Sequence, residues 1–344
     1  METNNFWNNH TLNDFQLLSI LDDIHSSEIF SVCFLKDGRI ASSSRDNNVL
    51  IYNKRTFKIE IRIRERKSIF YMNINRDGIL ITCMRGTYVN LYEIKGKRYS
   101  NIQTIRPYSL KFDIIGIFDG AYYIKKFIEL KNGDIAILDR GYTISFYKKK
   151  KKSKKYSYLN QFKEDEDGLE IITDLCELDD NQYCLNDHSG KLIKFLDWNK
   201  KIITDTIEFE KNFYNIDTNS ELLLMNKKDL FVTGSYSIII VDVQKKEIIK
   251  KLDLHISGYL TYIGKLSDNI IIAGFWNDYI GQIEYDKNTK NLKLISNIGE
   301  KHTHRKSAIY DITSISIFKN NLIVSPYKNS LYGSSLIVYQ LKNK

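Results

Sequence analysis

Several stretches of this chain approach the residue types and spacing of a reactive site, and each lacks a residue that the chemistry requires. GYLTYIGKL (258–266) places a lysine after a glycine as a phosphate-cradling loop does, but five residues rather than four separate its glycines, and Leu266 stands where a Ser or Thr is needed. KEDEDG (163–168) has the carboxylates of a calcium loop; with Gly168 at the sixth position, however, Lys163 falls at the first, where a carboxylate ligand is required. It reads as a solvated acidic loop. His302 and His304 are near enough in sequence to share a metal, but no third ligand accompanies them, and a surface loop explains the pair. Cys33, Cys83, Cys176 and Cys184 lie in apolar runs without metal-ligand spacing, as buried free thiols do. No nucleophile, base and orienting group can be matched to one another from sequence. These absences predict a protein that is not an enzyme and has no cofactor and no metal.

The remaining chemistry is charge. The formal net charge is +9, and Lys148, Lys149, Lys150, Lys151, Lys152, Lys154 and Lys155 supply seven of the positive charges within eight residues. The rest of the chain is therefore nearly neutral. Lysine without interleaved aromatics suits a diffuse polyanion better than base-specific reading. The run reads as a solvated hairpin extension, a contact for an acidic partner, or a nuclear-import signal.

The elements that position these residues are strands. Only two prolines occur in 344 residues, 42% of which are apolar. Sustained helical spacing is missing, whereas Ile, Val, Tyr, Phe and Thr cluster in runs of four to seven, the side chains that pack on a pleated surface. No apolar stretch approaches the length of a bilayer-spanning helix, and METNNFWNNHTLND lacks the apolar segment of a secretory signal. An intracellular, cytoplasmic location is expected, with the nucleus as the alternative.

HSSEIFSVCFLKDGRIASSSRDNNVLIYN (25–53) shows the pattern that repeats. Gly38 closes one tight turn and Asp46 opens another eight residues later. The first-turn column continues as Gly78, Gly133, Asn181, Asp229, Asn269 and Asn321. The second continues as Gly86, Gly141, Ser189, Ser237, Asn277 and Asn329. Gly, Asn and Asp tolerate the positive φ of tight hairpins, and Ser hydrogen-bonds its own backbone, so both columns have a physical cause. Repeats start 40 to 55 residues apart, as units varying in surface loops do.

On these residues the chain resembles the WD-repeat β-propellers. The first unit matches best: His25 occupies the family's Gly-His position, Ser42 and Asp46 the strand and turn positions, and Tyr52 the usual tryptophan position. The resemblance implies that these four form a hydrogen-bonded structural tetrad. Thr82, Thr233 and Ser325 keep the strand hydroxyl, whereas Ile137, Leu185 and Ala273 replace it; Tyr92, Tyr147 and Phe195 keep the aromatic. SRDNNVLI (44–51) also partly resembles the aspartate box of sialidase-like propellers, but Asn48 and Ile51 replace its glycine and tryptophan, and a hairpin turn accounts for it.

The expected fold is all-β: one seven-bladed propeller of four-stranded antiparallel blades over residues 15–344, preceded by a polar tail, 1–14. Only three residues follow SLIVYQL in the seventh unit, so FQLLSILDDI (15–24) is expected to complete the last blade and remove an exposed sheet edge.

One column bears on partners. The residue before the second turn is Arg45, Arg85, Arg140, His188, Tyr236, Trp276 and Lys328 across the seven units. Each is expected at a strand tip on the narrower top face, a basic arc on blades 1 to 3 and an aromatic one on blades 5 and 6. Arg, Tyr and Trp dominate interface hot spots, and an acidic peptide with an apolar anchor suits such a surface. The expected function is a non-catalytic scaffold that binds a protein or peptide, as a monomer or as a subunit of a larger complex. The alternative is a polyanion binder, acting on RNA, ribosome or anionic membrane through 148–155.

Overall fold

A computed structural model describes residues 6–7, 9–84, 88–107, 124–139, 143–163, 172–179, 181–187, 192–209, 221–234, 237–253, 260–275, 279–298, 314–319, 322–327 and 334–342. They form seven four-stranded antiparallel sheets, the blades of a β-propeller. The middle strands are buried on both faces, so several of them read as largely apolar runs, such as LITCM and IIIAGF, while the outer strands alternate, as in IEIRIR. Two compact units divide the chain: Asp23–Ile172 with Tyr332–Ser334, and Met1–Asp22 with Thr173–Leu331 and Ser335–Lys344.

The first of these units holds three blades. Blade 1 follows β1 (Phe15–His25) and consists of β2 (Ile29–Phe34), β3 (Ile40–Ser44), β4 (Asn48–Tyr52) and β5 (Ile59–Arg64). Blade 2 is β6 (Ile69–Ile74), β7 (Leu80–Met84), β8 (Val89–Lys95) and β9 (Arg98–Ile105); blade 3 is β10 (Ile124–Glu129), β11 (Ile135–Asp139), β12 (Thr143–Lys149) and β13 (Tyr156–Lys163). One turn geometry joins the first two strands of each blade. Leu35 N–H donates to Arg39 O at 2.8 Å and Gly38 N–H to Leu35 O at 2.9 Å, and Asn75 and Leu130 open the same pattern in blades 2 and 3. Gly38 sits at φ 87°, a left-handed conformation that glycine adopts without a Cβ penalty. Ala41, Ile51, Ile61 and Leu80 belong to the core between blades 1 and 2, and Ile81, Leu91, Ile135 and Tyr147 to that between blades 2 and 3.

The second unit holds four blades. Blade 4 is β14 (Ile172–Asp179), β15 (Gln182–Asp187), β16 (Leu192–Asp197) and β17 (Ile202–Glu208); blade 5 is β18 (Leu222–Leu224), β19 (Asp229–Thr233), β20 (Ser237–Asp242) and β21 (Glu247–Asp253). Blade 6 is β22 (Leu260–Lys265), β23 (Ile270–Phe275), β24 (Tyr279–Asp286) and β25 (Asn291–Ile298). In blade 7, β26 (Ser316–Phe318), β27 (Leu322–Tyr327) and β28 (Ser334–Leu341) are joined by β1 on the outside of β28. The N-terminal strand thus completes the last blade.

The segment before β1, read from sequence as a polar tail, carries apolar anchors. Trp7 and Leu12 are buried with Phe15, Ile270, Ile280 and Tyr339. A 3-10 turn over Leu12–Asp14 lies against blade 6, where Leu12 N–H donates to Gln282 Oε1 at 2.8 Å and Gln282 Nε2–H to His10 O at 3.1 Å. A single tryptophan among asparagines looks polar on average, yet buries a large apolar area. The repeat columns are also not uniform. Asn181 takes positive φ, as a turn former does, but Asp229 and Ser237 instead open strands β19 and β20. Asp229 faces inward to accept hydrogen bonds from Tyr285 (2.8 Å) and Lys290 (2.7 Å), tying blade 5 to blade 6.

Candidate functional site

The four residues assigned to the tetrad come together in blade 1. His25, at the end of β1, is 1% exposed. Its Nδ1 lies 2.9 Å from Asp46 Oδ2 and its Nε2 2.7 Å from Ser42 Oγ, which lies 2.9 Å from Tyr52 OH. Asp46 sits in the β3–β4 turn and also accepts N–H bonds from Ser26 at 3.1 Å and Asn48 at 2.9 Å. Burial pushes the Asp46 carboxyl up, but the hydrogen bond and charge of His25 and the Asn48 bonds outweigh it, and its pKa falls to about 2. Burial holds the Tyr52 hydroxyl well above its ordinary value.

Ser42, His25 and Asp46 therefore form a hydrogen-bonded line that sequence spacing alone could not match up. Its distances are those of a nucleophile, base and orienting carboxylate. The surroundings differ from those of an active site. Ser42 and Tyr52 have no exposed surface, and Ser42 Oγ is already held by both His25 and the Tyr52 hydroxyl. The arrangement pins β1, β3, the β3–β4 turn and β4 together.

Blade 2 makes an equivalent cluster from different residues, one that the sequence reading missed. Glu65 precedes Thr82 by 17 residues, the separation of His25 from Ser42. Its buried carboxylate accepts from Thr82 Oγ1 at 3.0 Å, Tyr92 OH at 2.8 Å and Asn90 Nδ2 at 3.0 Å. A carboxylate here needs donors on all sides, and threonine, asparagine and tyrosine supply them. Burial, then the Glu65 charge, drives the Tyr92 hydroxyl up. The 17-residue spacing was the available signal; a search for histidine at that position passes over it. In blade 3, where Ile137 replaces the strand hydroxyl, Ser145 Oγ is buried without a hydrogen-bond partner.

Of the column expected on the top face, Arg45 is described. It follows β3, its side chain is 56% exposed, and its guanidinium lies 3.3 Å from Glu28, an exposed pair of small energetic weight. Arg85, Arg140, His188, Tyr236, Trp276 and Lys328 lie outside the described residues, as do His302, His304 and all of KEDEDG except Lys163. GYLTYIGKL runs through β22, so Gly264 and Lys265 belong to a strand rather than a loop. Cys33, Cys83 and Cys184 are buried free thiols, while Cys176 is half-buried.

The lysine run forms the hairpin between β12 and β13. Lys150 N–H donates to Lys155 O at 2.9 Å, and Lys152 takes a φ of 54° at the tip. Two of its lysines are tied to blade 2, Lys149 to Asp77 at 2.5 Å and Lys154 to Glu93 at 2.6 Å. With the further contact of Lys95, this lowers the Glu93 pKa to about 2. Among the described residues no group of three His, Cys, Asp or Glu is placed to hold a metal, and no helix is long and apolar enough to cross a membrane.

No protein-family model matches the sequence, and no curated protein matches it either. Solved structures do. A chain of the mitotic checkpoint complex aligns over 95% of this chain and 92% of its own with a TM-score of 0.68 at 10% identity. U3-55K aligns over 95% and 98% with a TM-score of 0.69 at 10% identity, and the RRP9 WD40 repeats over 95% and 100% with a TM-score of 0.69 at 11% identity. This chain has the seven-bladed β-propeller fold of WD40-repeat proteins.

Proposed function

We propose that the chain is a non-catalytic interaction scaffold that holds a protein or peptide partner on the top face of the propeller. The observation that carries this reading is the sealed tetrad. The one Ser–His–Asp line among the described residues lies inside a blade and joins strands. Rigid blades fix the loop ends, so binding there loses little conformational entropy. The partner is an acidic segment with an apolar anchor, received by Arg45, Arg85 and Arg140 with Trp276 as the apolar anchor on this side, inside the cell. The exposure of Arg45 and its weak pairing with Glu28 favour it.

The test is affinity capture followed by mass spectrometry. Replacing the three arginines by glutamate is expected to abolish recovery of the main partner, because repulsion adds to the lost hydrogen bonds, while the melting temperature stays within about 2 °C. Full recovery by a folded triple variant would place the binding surface elsewhere.

A further inference from the structure

The lysine hairpin is one part of a wider cationic surface. In the Asp23–Ile172 unit, six connections lie at the same end of their blades: 35–39, 53–58, 75–79, 96–97, 130–134 and 150–155. Together they contain thirteen Lys and Arg residues against three Asp, although only five of the thirteen lie in the lysine run. Outside the lysine run acidic residues elsewhere in the chain offset these cations, and their dispersal over about 120 residues hides their clustering in the sequence.

Contacts between successive blades join the connections. Lys36 Nζ donates to the Arg76 carbonyl, Arg39 Nη1 to the Gly96 carbonyl at 2.5 Å, and Arg76 Nη1 to the Lys131 carbonyl at 2.9 Å. Lys149 reaches back to Asp77, leaving that aspartate paired. Lys58, Lys97, Lys150, Lys151, Lys152 and Lys155 are all exposed and form no ion pair among the described residues. Beside the hairpin, an open depression of about 640 Å³ is lined by Asn132, Asp134 and the lysines themselves.

We propose that this end of blades 1 to 3 binds the phosphate backbone of a single nucleic-acid strand without reading its sequence. Three features favour that occupant over an anionic membrane or an acidic protein. The cations are spread along a path across three blades, as the regular phosphates of a strand require. None of the exposed large apolar side chains lies in the six connections, so nothing there is placed to insert into lipid. Two exposed tyrosines border the path: Tyr99, 45% exposed and one pair along from Lys95–Arg98, and Tyr158, 40% exposed on β13 beside the hairpin. Bases stack on such rings irrespective of sequence. The surface is independent of the top-face reading above.

The test uses the full chain and a fluorescent single-stranded RNA of mixed sequence, about 20 nucleotides long, titrated between about 50 and 200 mM salt. A single-stranded DNA and a scrambled RNA are expected to bind within a few-fold. Each phosphate contact on a single strand contributes about 0.7 to the slope of log K against log salt. Lys150, Lys151, Lys152 and Lys155→Ser should therefore lower the slope by about 2 to 3, and Lys58 and Lys97→Ser, remote from the run, by about 1. The matching Lys→Arg variants should keep the affinity, and all variants should keep the melting temperature. The inference is overturned if the RNA does not bind, or if Lys58 and Lys97→Ser leaves slope and affinity unchanged while the hairpin variant abolishes binding. Equal or tighter binding of phosphatidylserine vesicles or polyglutamate overturns it as well.

Discussion

Replacing His25 with alanine tests the blade 1 tetrad most directly. The imidazole is fully enclosed and makes two side-chain hydrogen bonds, one of them with a carboxylate. Removing it leaves Asp46 with its N–H donors from Ser26 and Asn48, and leaves Ser42 Oγ with Tyr52, so neither partner is orphaned. A hydrogen bond to a charged group contributes about 1.5–3 kcal/mol and a neutral one about 1 kcal/mol. Partial retention of partners offsets some of this, whereas the vacated space adds to it. An overall destabilisation of about 2 to 4 kcal/mol is expected, read as a lower urea midpoint with unchanged slope. The effect should also depend on pH. The folded pKa of Asp46 is depressed, so its contribution is fully present above the unfolded value near 3.8 and is lost as pH falls toward about 2. The stability difference between wild type and His25→Ala should therefore shrink between about pH 4 and pH 2. A midpoint shift below about 0.5 kcal/mol, or a difference that does not change over that acid window, would refute the reasoning.

Glu65→Gln keeps the size of the blade 2 side chain but sets an amide donor against Asn90 Nδ2, where 3.0 Å now separates donor from acceptor. A loss of about 1 to 3 kcal/mol in urea unfolding is expected, and the additional change Asn90→Asp should recover part of it by supplying an acceptor. Trp7→Ala should cost about 3–5 kcal/mol, since the ring is enclosed by residues of blades 6 and 7. Deletion of residues 1–12 should destabilise at least as much; a truncated chain that melts with the full-length protein would show that the segment adds nothing to the core.

The architecture was legible in the sequence because its causes are local. A tight turn favours glycine, asparagine or aspartate at a set offset, and a doubly buried strand favours apolar or small residues, so the period appears without knowledge of any distant contact. The completion of blade 7 by β1 was legible for a similar reason: the last unit was short by one strand and the N-terminus had one to spare. The tetrad of blade 1 was legible because His25, Ser42 and Asp46 are the common types at their positions and Tyr52 keeps an aromatic ring at the fourth. Its counterpart in blade 2 was not, because Glu65 reverses the polarity of the site, and only the converging donors of Thr82, Asn90 and Tyr92 show what the carboxylate does. Trp7 gave no periodic signal, since beyond Leu12 and Phe15 the residues that enclose it, Ile270, Ile280 and Tyr339 among them, lie more than 250 residues away along the chain. Net charge behaved likewise. The sequence determined how many cations there are and where they cluster along the chain, but the gathering of Lys36, Lys58, Arg76 and Lys97 at the same end of blades 1 to 3 as the lysine hairpin was decided by the strand order and stacking of those blades. Turn and strand signals act over a few residues, whereas a surface is assembled from residues that only the packing of whole sheets makes neighbours.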